Sequence, residues 1–220
     1  MNQHIAPFIA LEGMDGSGKT TLLRGLMQTL DSEHFFFTRE PGGTPPGNAI
    51  RNTLLNATVK TQLLGFFYDR SHHTDAIALW RKARHPVITD RFDGSTFAYQ
   101  VVAQSKSDEE REELDDLFWT LRALLLIQSE SIPTLYLYLD LPPEVAYARR
   151  QGDTKQVQNH YDRNPLTFYE KQREGYLEFF REIRRQGDSE VVFLDATLSE
   201  EELLAQAIEH ISKHVEPEAS

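Results

Sequence analysis

Five short runs of apolar residues along the chain predict the strands of a sheet. These runs are Phe8–Leu11, Phe35–Phe37, Val87–Ile88, Leu135–Leu139 and Val191–Leu194. Most of them are nearly continuous rather than alternating, which is typical of parallel strands whose two faces are both covered by helices.

The intervals between these runs show the apolar periodicity of helices. Strands that alternate with helices indicate a doubly wound α/β fold, in which helices flank a five-stranded parallel sheet in three layers. No repeat or flexible linker divides residues 1–220, so we expect a single domain with a short disordered tail at 216–220. The predicted helices are Thr20–Leu30, Gly47–Leu55, Gln62–Lys82, Ser95–Ser129 with breaks, Glu144–Arg150, Leu166–Arg185 and Glu200–Val215.

Composition and charge exclude several classes of protein. The 220 residues carry a formal net charge of -11 and include no cysteine. Nucleic-acid surfaces are usually basic, and a chain without cysteine has neither disulfides nor thiol chemistry. No apolar run reaches membrane-spanning length, and the N-terminus does not have the pattern of a secretion signal. We therefore expect a cytoplasmic protein that binds neither nucleic acid nor a membrane.

The turn between the first predicted strand and the first predicted helix matches the pattern G-x-x-x-x-G-K-[ST]. Its glycines let backbone N–H groups surround phosphate oxygens, and the helix N-terminus adds partial positive charge. Lys19 can reach the outer phosphates, and the Thr20 hydroxyl suits Mg²⁺. Such a loop alone does not separate kinases from ATPases, GTPases and motor proteins. The predicted nucleotide-binding residues are Gly13, Met14, Asp15, Gly16, Ser17, Gly18, Lys19 and Thr20.

Charged residues follow several other predicted strands, at the edge where ligands bind in such sheets. Arg39 follows the second strand, beside a Pro-Gly-Gly turn that lets backbone approach a ligand closely. The alternative is that Arg39 is a surface arginine in a tight turn. Asp90, Asp140 and Asp195 each follow an apolar strand, so all three are candidate carboxylates for a metal site. Arg91 favours Asp90, because a neighbouring guanidinium can neutralise a phosphate while the carboxylate handles metal-bound water.

The third predicted helix carries an aromatic and a basic residue on one face. Phe66 and Arg70 are four residues apart, which brings their side chains together on a helix. A ring that stacks on a base and an arginine that bonds its edge would form a nucleobase site. The alternative is that Phe66 belongs to the core, as most buried aromatic residues do.

Together these segments resemble the thymidylate kinase family, whose members use ATP to phosphorylate dTMP. The matching stretches occur in the family's order and include Thr-Arg-Glu-Pro-Gly-Gly-Thr and Asp-Arg-x-x-x-Ser-Thr-x-Ala-Tyr-Gln. The resemblance covers nearly the whole chain and rests mainly on Glu12–Thr21, Phe37–Thr44, Leu64–Arg70 and Asp90–Gln100.

The resemblance implies a role for each matching residue. The phosphate-binding loop would hold ATP, with Lys19 stabilising charge on the transferred group and Thr20 and Asp90 placing Mg²⁺. Asp15 would bond the 3′-hydroxyl of the acceptor. The implied catalytic residues are Lys19, Arg91, Asp15, Arg39, Arg149 and Arg150.

The same resemblance implies the contacts to dTMP. Arg39 and Arg91 would hold its phosphate, Phe66 would stack on thymine, and Arg70 would bond the carbonyl edge of the base. The remaining contacts implied are Thr96 to the base, Tyr99 against the position of a ribose 2′-hydroxyl, and Gln100 to the base or sugar.

The lid, at about residues 149–164, departs from the family pattern. Arg149 and Arg150 remain candidates for the ATP side, but His160 stands where an arginine is expected. A neutral imidazole does not replace a permanent guanidinium. Either Arg163 supplies the missing charge, or turnover is slower, or His160 is a bystander.

The sequence therefore predicts a Mg²⁺- and ATP-dependent dTMP kinase, and the resemblance implies a homodimer. One alternative is a related kinase with a different acceptor, such as another deoxynucleotide or a deoxynucleoside. Another is a P-loop nucleotide-binding module without kinase activity, an alternative that the altered lid keeps open.

Overall fold

A computed structural model describes residues 5–54, 56–127, 131–152 and 164–215. Five parallel strands form one sheet in the order β2-β3-β1-β4-β5. The strands are β1 (Phe8–Glu12), β2 (Phe36–Arg39), β3 (Val87–Asp90), β4 (Leu135–Asp140) and β5 (Glu190–Asp195). The predicted five-stranded parallel α/β fold is confirmed.

Each strand extends further toward the carboxyl edge of the sheet than its apolar run predicts. Backbone pairing continues past the last apolar side chain, as where Arg39 of β2 lies opposite Asp90 of β3. At the other end β2 begins one residue late, because the N–H of Phe35 bonds the carbonyl of Asp31 in the turn before it. As a result every strand ends in a charged residue: Glu12, Arg39, Asp90, Asp140 and Asp195.

Eight α-helices connect and flank the strands in the described part of the chain. The long stretch predicted at 95–129 divides into two helices, each continued by a π-helical segment, Phe97–Ala103 and Ala123–Ile127. The helices are α1 (Lys19–Thr29), α2 (Pro45–Leu54), α3 (Val59–Lys82), α4 (Asp93–Thr96), α5 (Asp108–Arg122), α6 (Pro143–Gly152), α7 (Leu166–Gln186) and α8 (Glu200–His214).

Side-chain caps determine where two of these helices begin. The Thr58 side chain accepts a hydrogen bond from the N–H of Thr61, so α3 begins earlier than the predicted Gln62. Ser199 and Glu202 form a capping box at the start of α8.

The core lies against the sheet. All residues of β1 are fully buried, which explains the continuous apolar run of its first four residues. Helix α1 packs against α8, whereas α3, α5 and α7 pack around the π-helical segment at 97–103. Across the four described ranges, no helix is both long enough and apolar enough to cross a bilayer.

Candidate active site

The turn between β1 and α1 has a shape that only glycine allows at its centre. Gly16 has a φ of +84°, and a Cβ there would lie 2.6 Å from the carbonyl oxygen of Ala146. Helix α1 begins directly after the turn at Lys19, so its N-terminal N–H groups border an adjoining cavity. We call this the loop cavity; it is lined by residues 15–22 together with Arg51, Asp90, Arg91, Arg149 and Arg150, among others.

Lys19 folds back onto the turn that precedes it. Its Nζ donates hydrogen bonds of 2.7 Å to the carbonyl oxygens of both Gly13 and Met14. Burial, and secondarily repulsion by Arg91, lower the pKa of Lys19 to about 8. The ammonium is thus held close to the phosphate-binding turn. An anion bound beside it would favour the charged form of the lysine.

Asp90 and Thr20 line the loop cavity together. Oδ1 of Asp90 is buried and, within the described residues, has no hydrogen-bond partner. A buried carboxylate oxygen without a partner is costly unless a cation or a water completes its environment. A carboxylate and a hydroxyl are oxygen ligands of the kind that Mg²⁺ prefers, so these two residues fit a magnesium site.

The other two candidate carboxylates for the metal site are already engaged. Both oxygens of Asp140 accept hydrogen bonds from the guanidinium of Arg173, at 2.8 and 3.0 Å. Oδ1 of Asp195 accepts from the N–H and the hydroxyl of Thr197. Of the three candidates that the sequence left open, the structure therefore favours Asp90.

A second cavity, which we call the inner cavity, lies between α3 and residues 92–100. Seven of the residues predicted to contact dTMP line it, so the structure brings them together although they come from separate segments. These residues are Asp15, Phe66, Arg70, Arg91, Thr96, Tyr99 and Gln100.

Arg70 is almost completely buried at the wall of the inner cavity. Its Nε donates to Oε2 of Glu40 at 2.8 Å, and its Nη2 donates to the carbonyl of Phe92 and to Oγ1 of Thr96. Nη1 is buried and has no hydrogen-bond partner among the described residues. A residue that lines the inner cavity thus keeps one guanidinium nitrogen without a partner among the described residues.

The turn after β2 is docked closely onto α3. The N–H of Gly42 donates to Oδ2 of Asp69 at 3.0 Å. A Cβ on Gly43 would lie 2.5 Å from Nε2 of His73, so this close approach requires glycine. The Pro-Gly-Gly turn thus serves packing against α3 and brings Glu40 to Arg70.

Arg91 lies where the two cavities meet and lines both. Its Nη2 bonds Oδ1 of Asp15 and the hydroxyl of Tyr99, and its Nη1 bonds the hydroxyls of Ser95 and Tyr176. Burial disfavours its charge, but Tyr99 and Asp15 outweigh burial and hold the pKa of Arg91 well above its ordinary value. For Asp15 too, burial raises the pKa, but the charges of Arg91 and then Lys19 prevail and lower it.

Glu12, the last residue of β1, is a buried carboxylate to which the sequence reasoning gave no role. Its Oε1 accepts from the N–H groups of Phe92 and Ser95 at 2.9 and 3.0 Å, and its Oε2 accepts from the Ser95 hydroxyl. Burial raises the pKa of Glu12 to about 7, despite the opposing effects of Ser95 and Arg91. This carboxylate joins the end of β1 to the start of α4.

Arg39 and Arg51 are placed differently from what the sequence predicts. Arg39 is exposed at the end of β2 and is not among the residues that line either cavity. Arg51, which was not predicted, lines both. Burial, followed by the charges of Arg39 and Arg91, lowers the pKa of Arg51. The signal that could have identified it is that Arg51 is the single basic residue in the sequence of α2.

Arg149 and Arg150, at the end of α6 in the predicted lid, line the loop cavity. Arg149 also donates hydrogen bonds to the carbonyl oxygens of Gly16 and Ala196. The predicted lid residues His160 and Arg163 lie outside the described residues.

Three charged residues, Asp15, Arg51 and Arg91, line both cavities and so connect them. A parallel α/β sheet with a glycine-rich turn after its first strand, and a second cavity that adjoins the one at this turn, is the arrangement expected of a P-loop phosphotransferase. The sequence model of the family described as "Thymidylate kinase" matches residues 11–208. The chain belongs to the thymidylate kinase family.

Individual relatives have the same description. The chain is 36% identical to "Thymidylate kinase" of Nitrosospira multiformis over 183 residues, covering 80% of this chain and 84% of the relative. It is 36% identical to "Thymidylate kinase" of Symbiobacterium thermophilum over 204 residues, covering 89% of this chain and 88% of the relative. It is 30% identical to "Thymidylate kinase" of Acinetobacter baumannii strain AYE over 216 residues, covering 93% of this chain and 100% of the relative.

Proposed function

We propose that this chain transfers the γ-phosphoryl group of ATP to dTMP, forming ADP and dTDP. The observation that carries the proposal is the pair of cavities joined at Asp15, Arg51 and Arg91. Transfer between two nucleotides requires adjoining donor and acceptor sites with positive charge between them. Membership of the thymidylate kinase family supports dTMP as the acceptor.

The loop cavity is the proposed ATP side. Lys19 stabilises charge on the transferred group, and Arg149 and Arg150 neutralise the remaining phosphates. Thr20 and Asp90 would hold Mg²⁺, which when bound neutralises phosphate charge and orients the donor.

The acceptor phosphate belongs between the two cavities. Arg91 and Arg51 bind its oxygens, and Arg39 adds positive charge from the end of β2. Asp15, paired with Arg91, accepts a hydrogen bond from the 3′-hydroxyl of the sugar.

The inner cavity is the proposed base site. Phe66 stacks on thymine, and the unused Nη1 of Arg70 donates to a carbonyl oxygen of the base. Thr96 and Gln100 complete the polar wall, and Tyr99 leaves no room for a ribose 2′-hydroxyl.

The chemistry requires no nucleophilic side chain. An oxygen of the dTMP phosphate attacks the γ-phosphorus, the bond from that phosphorus to the β–γ bridging oxygen breaks, and ADP departs with the electron pair. The protein aligns the two phosphates and stabilises the negative charge that is redistributed between them.

A coupled assay of ADP release tests the proposal with dTMP, dUMP, dCMP, dGMP and thymidine as acceptors. We expect the highest kcat/KM for dTMP. Equal or better turnover of another acceptor would assign the chain to a related kinase. Nucleotide binding without ADP release on any acceptor would indicate a non-catalytic module.

The proposal includes a homodimer. Leu64, Tyr68 and Leu79 lie on one face of α3 and are 47%, 51% and 70% exposed. An exposed apolar face of this kind is typical of an interaction surface, and α3 also carries residues of the inner cavity. Light scattering during gel filtration should give twice the chain mass for the wild type and the monomer mass for L64E/L79E. A wild-type monomer at all concentrations would contradict the dimer.

The remaining parts of the proposal concern location and partners. A cytoplasmic protein with no nucleic-acid partner remains the prediction from composition and charge. Fractionation and a gel-shift measurement with single- and double-stranded DNA check these two points.

A further inference from the structure

A row of hydrogen-bonded side chains extends from the inner cavity to β2. Nε of Arg70 donates to Oε2 of Glu40 at 2.8 Å, and Oε1 of Glu40 lies 2.8 Å from Nδ1 of His73. Nε2 of His73 lies 2.7 Å from Oγ1 of Thr38. Arg70, Glu40 and His73 are all buried, with His73 only 1% exposed. The row therefore joins the cavity wall to the sheet through three buried side chains and ends at the half-buried Thr38.

The direction of these bonds follows from the chemistry of the groups. An ionised carboxylate only accepts hydrogen bonds, so Nδ1 of His73 carries a proton and donates to Glu40. The Thr38 hydroxyl can both donate and accept, so it satisfies Nε2 of the same ring. His73 is thus fixed at both nitrogens, and each oxygen of Glu40 is fixed by a different partner.

The hydrogen bonds of Arg70 leave only one of its guanidinium nitrogens without a partner among the described residues. Nε is occupied by Glu40, and Nη2 by the Phe92 carbonyl and the Thr96 hydroxyl. The guanidinium carbon lies 4.9 Å from the ring centroid of Phe92 and 5.0 Å from that of Phe67. Only Nη1 is left without a partner among the described residues.

We propose that His73 is a positioning residue that sets base selectivity by fixing Glu40 and, through it, the guanidinium of Arg70. The inference rests on the proposed function, because it concerns the base of the acceptor. A guanidinium has donors only, so a rigid Nη1 favours a base that presents a carbonyl oxygen. A base that presents an amino group in the same place leaves two donors facing each other. Their repulsion disfavours binding of that base.

Removal of the Nδ1 donor frees one oxygen of Glu40, so the carboxylate can rotate away from Arg70. Nη1 then loses its fixed direction, and both the attraction for a carbonyl and the rejection of an amino group weaken. We expect H73L to raise the KM for dTMP about tenfold, as loss of one charge-assisted hydrogen bond does. The preference for dTMP over dCMP in kcat/KM should fall in parallel, whereas the KM for ATP should not change.

Rescue by a conservative variant separates positioning from packing. In H73N the amide nitrogen occupies nearly the place of Nδ1 and can still donate to Glu40, so we expect most of the dTMP affinity and selectivity to return. T38V removes only the outer bond to the ring and should raise the KM for dTMP less than H73L does. H210L, on α8 and outside both cavities, is the matched histidine control and should behave as the wild type.

The experiment measures steady-state constants for ATP, dTMP and dCMP, with thermal melting to confirm folding. If the wild type phosphorylates no nucleotide, the proposed function fails, whatever the variants do. If the wild type is active and folded H73L keeps both its KM for dTMP and its base preference, the inference about His73 is overturned. If H73L does not fold, T38V decides: a raised KM for dTMP with an unchanged KM for ATP supports the inference, and unchanged constants overturn it.

Discussion

Nη2 of Arg91 donates a hydrogen bond to Oδ1 of Asp15 at the junction of the loop cavity and the inner cavity. Arg91 also has a φ of +69°, and its N–H bonds the carbonyl of Leu11 in β1. The backbone after β3 thus turns the arginine toward the phosphate-binding loop. The ion pair keeps its guanidinium at the point through which a phosphoryl group would pass.

Substitution R91A should lower kcat by about a hundredfold to a thousandfold, as expected for loss of a preorganised donor to a transition-state oxyanion. ATP affinity should change little, because the loop and Lys19 remain. Stopped-flow or coupled ADP assays measure kcat, and calorimetry measures ATP binding.

The control for this prediction is R91K, which keeps the charge but not the planar fork of donors. Its activity should lie between those of R91A and the wild type. Wild-type turnover in R91A would refute the proposed role of Arg91.

Arg39 and Arg51 provide a direct comparison between the sequence prediction and the structure. Arg51 lines both cavities, whereas Arg39 is exposed and lines neither. We expect R51A to raise the KM for dTMP about tenfold or more, the effect of losing a charged hydrogen bond, and R39A to raise it much less. Steady-state kinetics on the two variants check this order. The reverse order would indicate that Arg39, rather than Arg51, binds the acceptor phosphate.

The fold was predictable because its signals are local and strong. Continuous apolar runs such as that of β4 occur where strands are buried on both faces, and the glycine pattern marks the turn into α1. The ends of the strands and helices were less predictable. Backbone pairing extends β3 to Asp90, and the Thr58 side chain sets the start of α3. The pattern of hydrophobic residues reveals neither of these effects.

The candidate site was predictable where a residue follows a strand or shares a helical face with another, as Arg91 and Arg70 do. It was not predictable where tertiary packing decides the contact. Arg51 reaches the cavities only because α2 packs against α3, and Glu12 acquires its role only when α4 begins beside it. Which candidate carboxylate keeps an oxygen without a partner among the described residues also depended on Arg173, a residue distant in sequence from Asp140.

Glu12 should make stability depend on pH in a defined direction. Its pKa rises from 4.5 in the unfolded chain to about 7 in the folded protein. Between these values the unfolded state has lost a proton that the folded state retains, so the free energy of unfolding falls as pH rises. For this fully buried group the loss is on the order of 3 kcal/mol between pH 4.5 and 7.

The test compares denaturant unfolding of the wild type and E12Q across that pH range. Groups that titrate in both proteins cancel, so the stability of the wild type relative to E12Q should decline from pH 5 to pH 8. E33Q, at an exposed glutamate, controls for the general loss of a carboxylate. Parallel curves for the wild type and E12Q would contradict the raised pKa.

ATP binding at pH 8 should take up protons from the buffer. The pKa of Lys19 is about 8 in the free enzyme, so close to half of the molecules lack the ammonium charge at this pH. Phosphate oxygens beside Nζ favour the charged form and raise the pKa, and phosphate groups are already ionised at pH 8. We therefore expect uptake of about half a proton per ATP bound, since half of the free lysines must be recharged.

Calorimetry in buffers of different ionisation enthalpy measures this uptake as the slope of the observed binding enthalpy. The slope should decrease toward pH 6, where Lys19 is already charged before ATP arrives. K19R is the matched variant, because a guanidinium is charged at every pH in this range and should give no uptake at pH 8. A wild-type slope of zero at pH 8, or an equal slope in K19R, would show that Lys19 does not change its protonation when ATP binds.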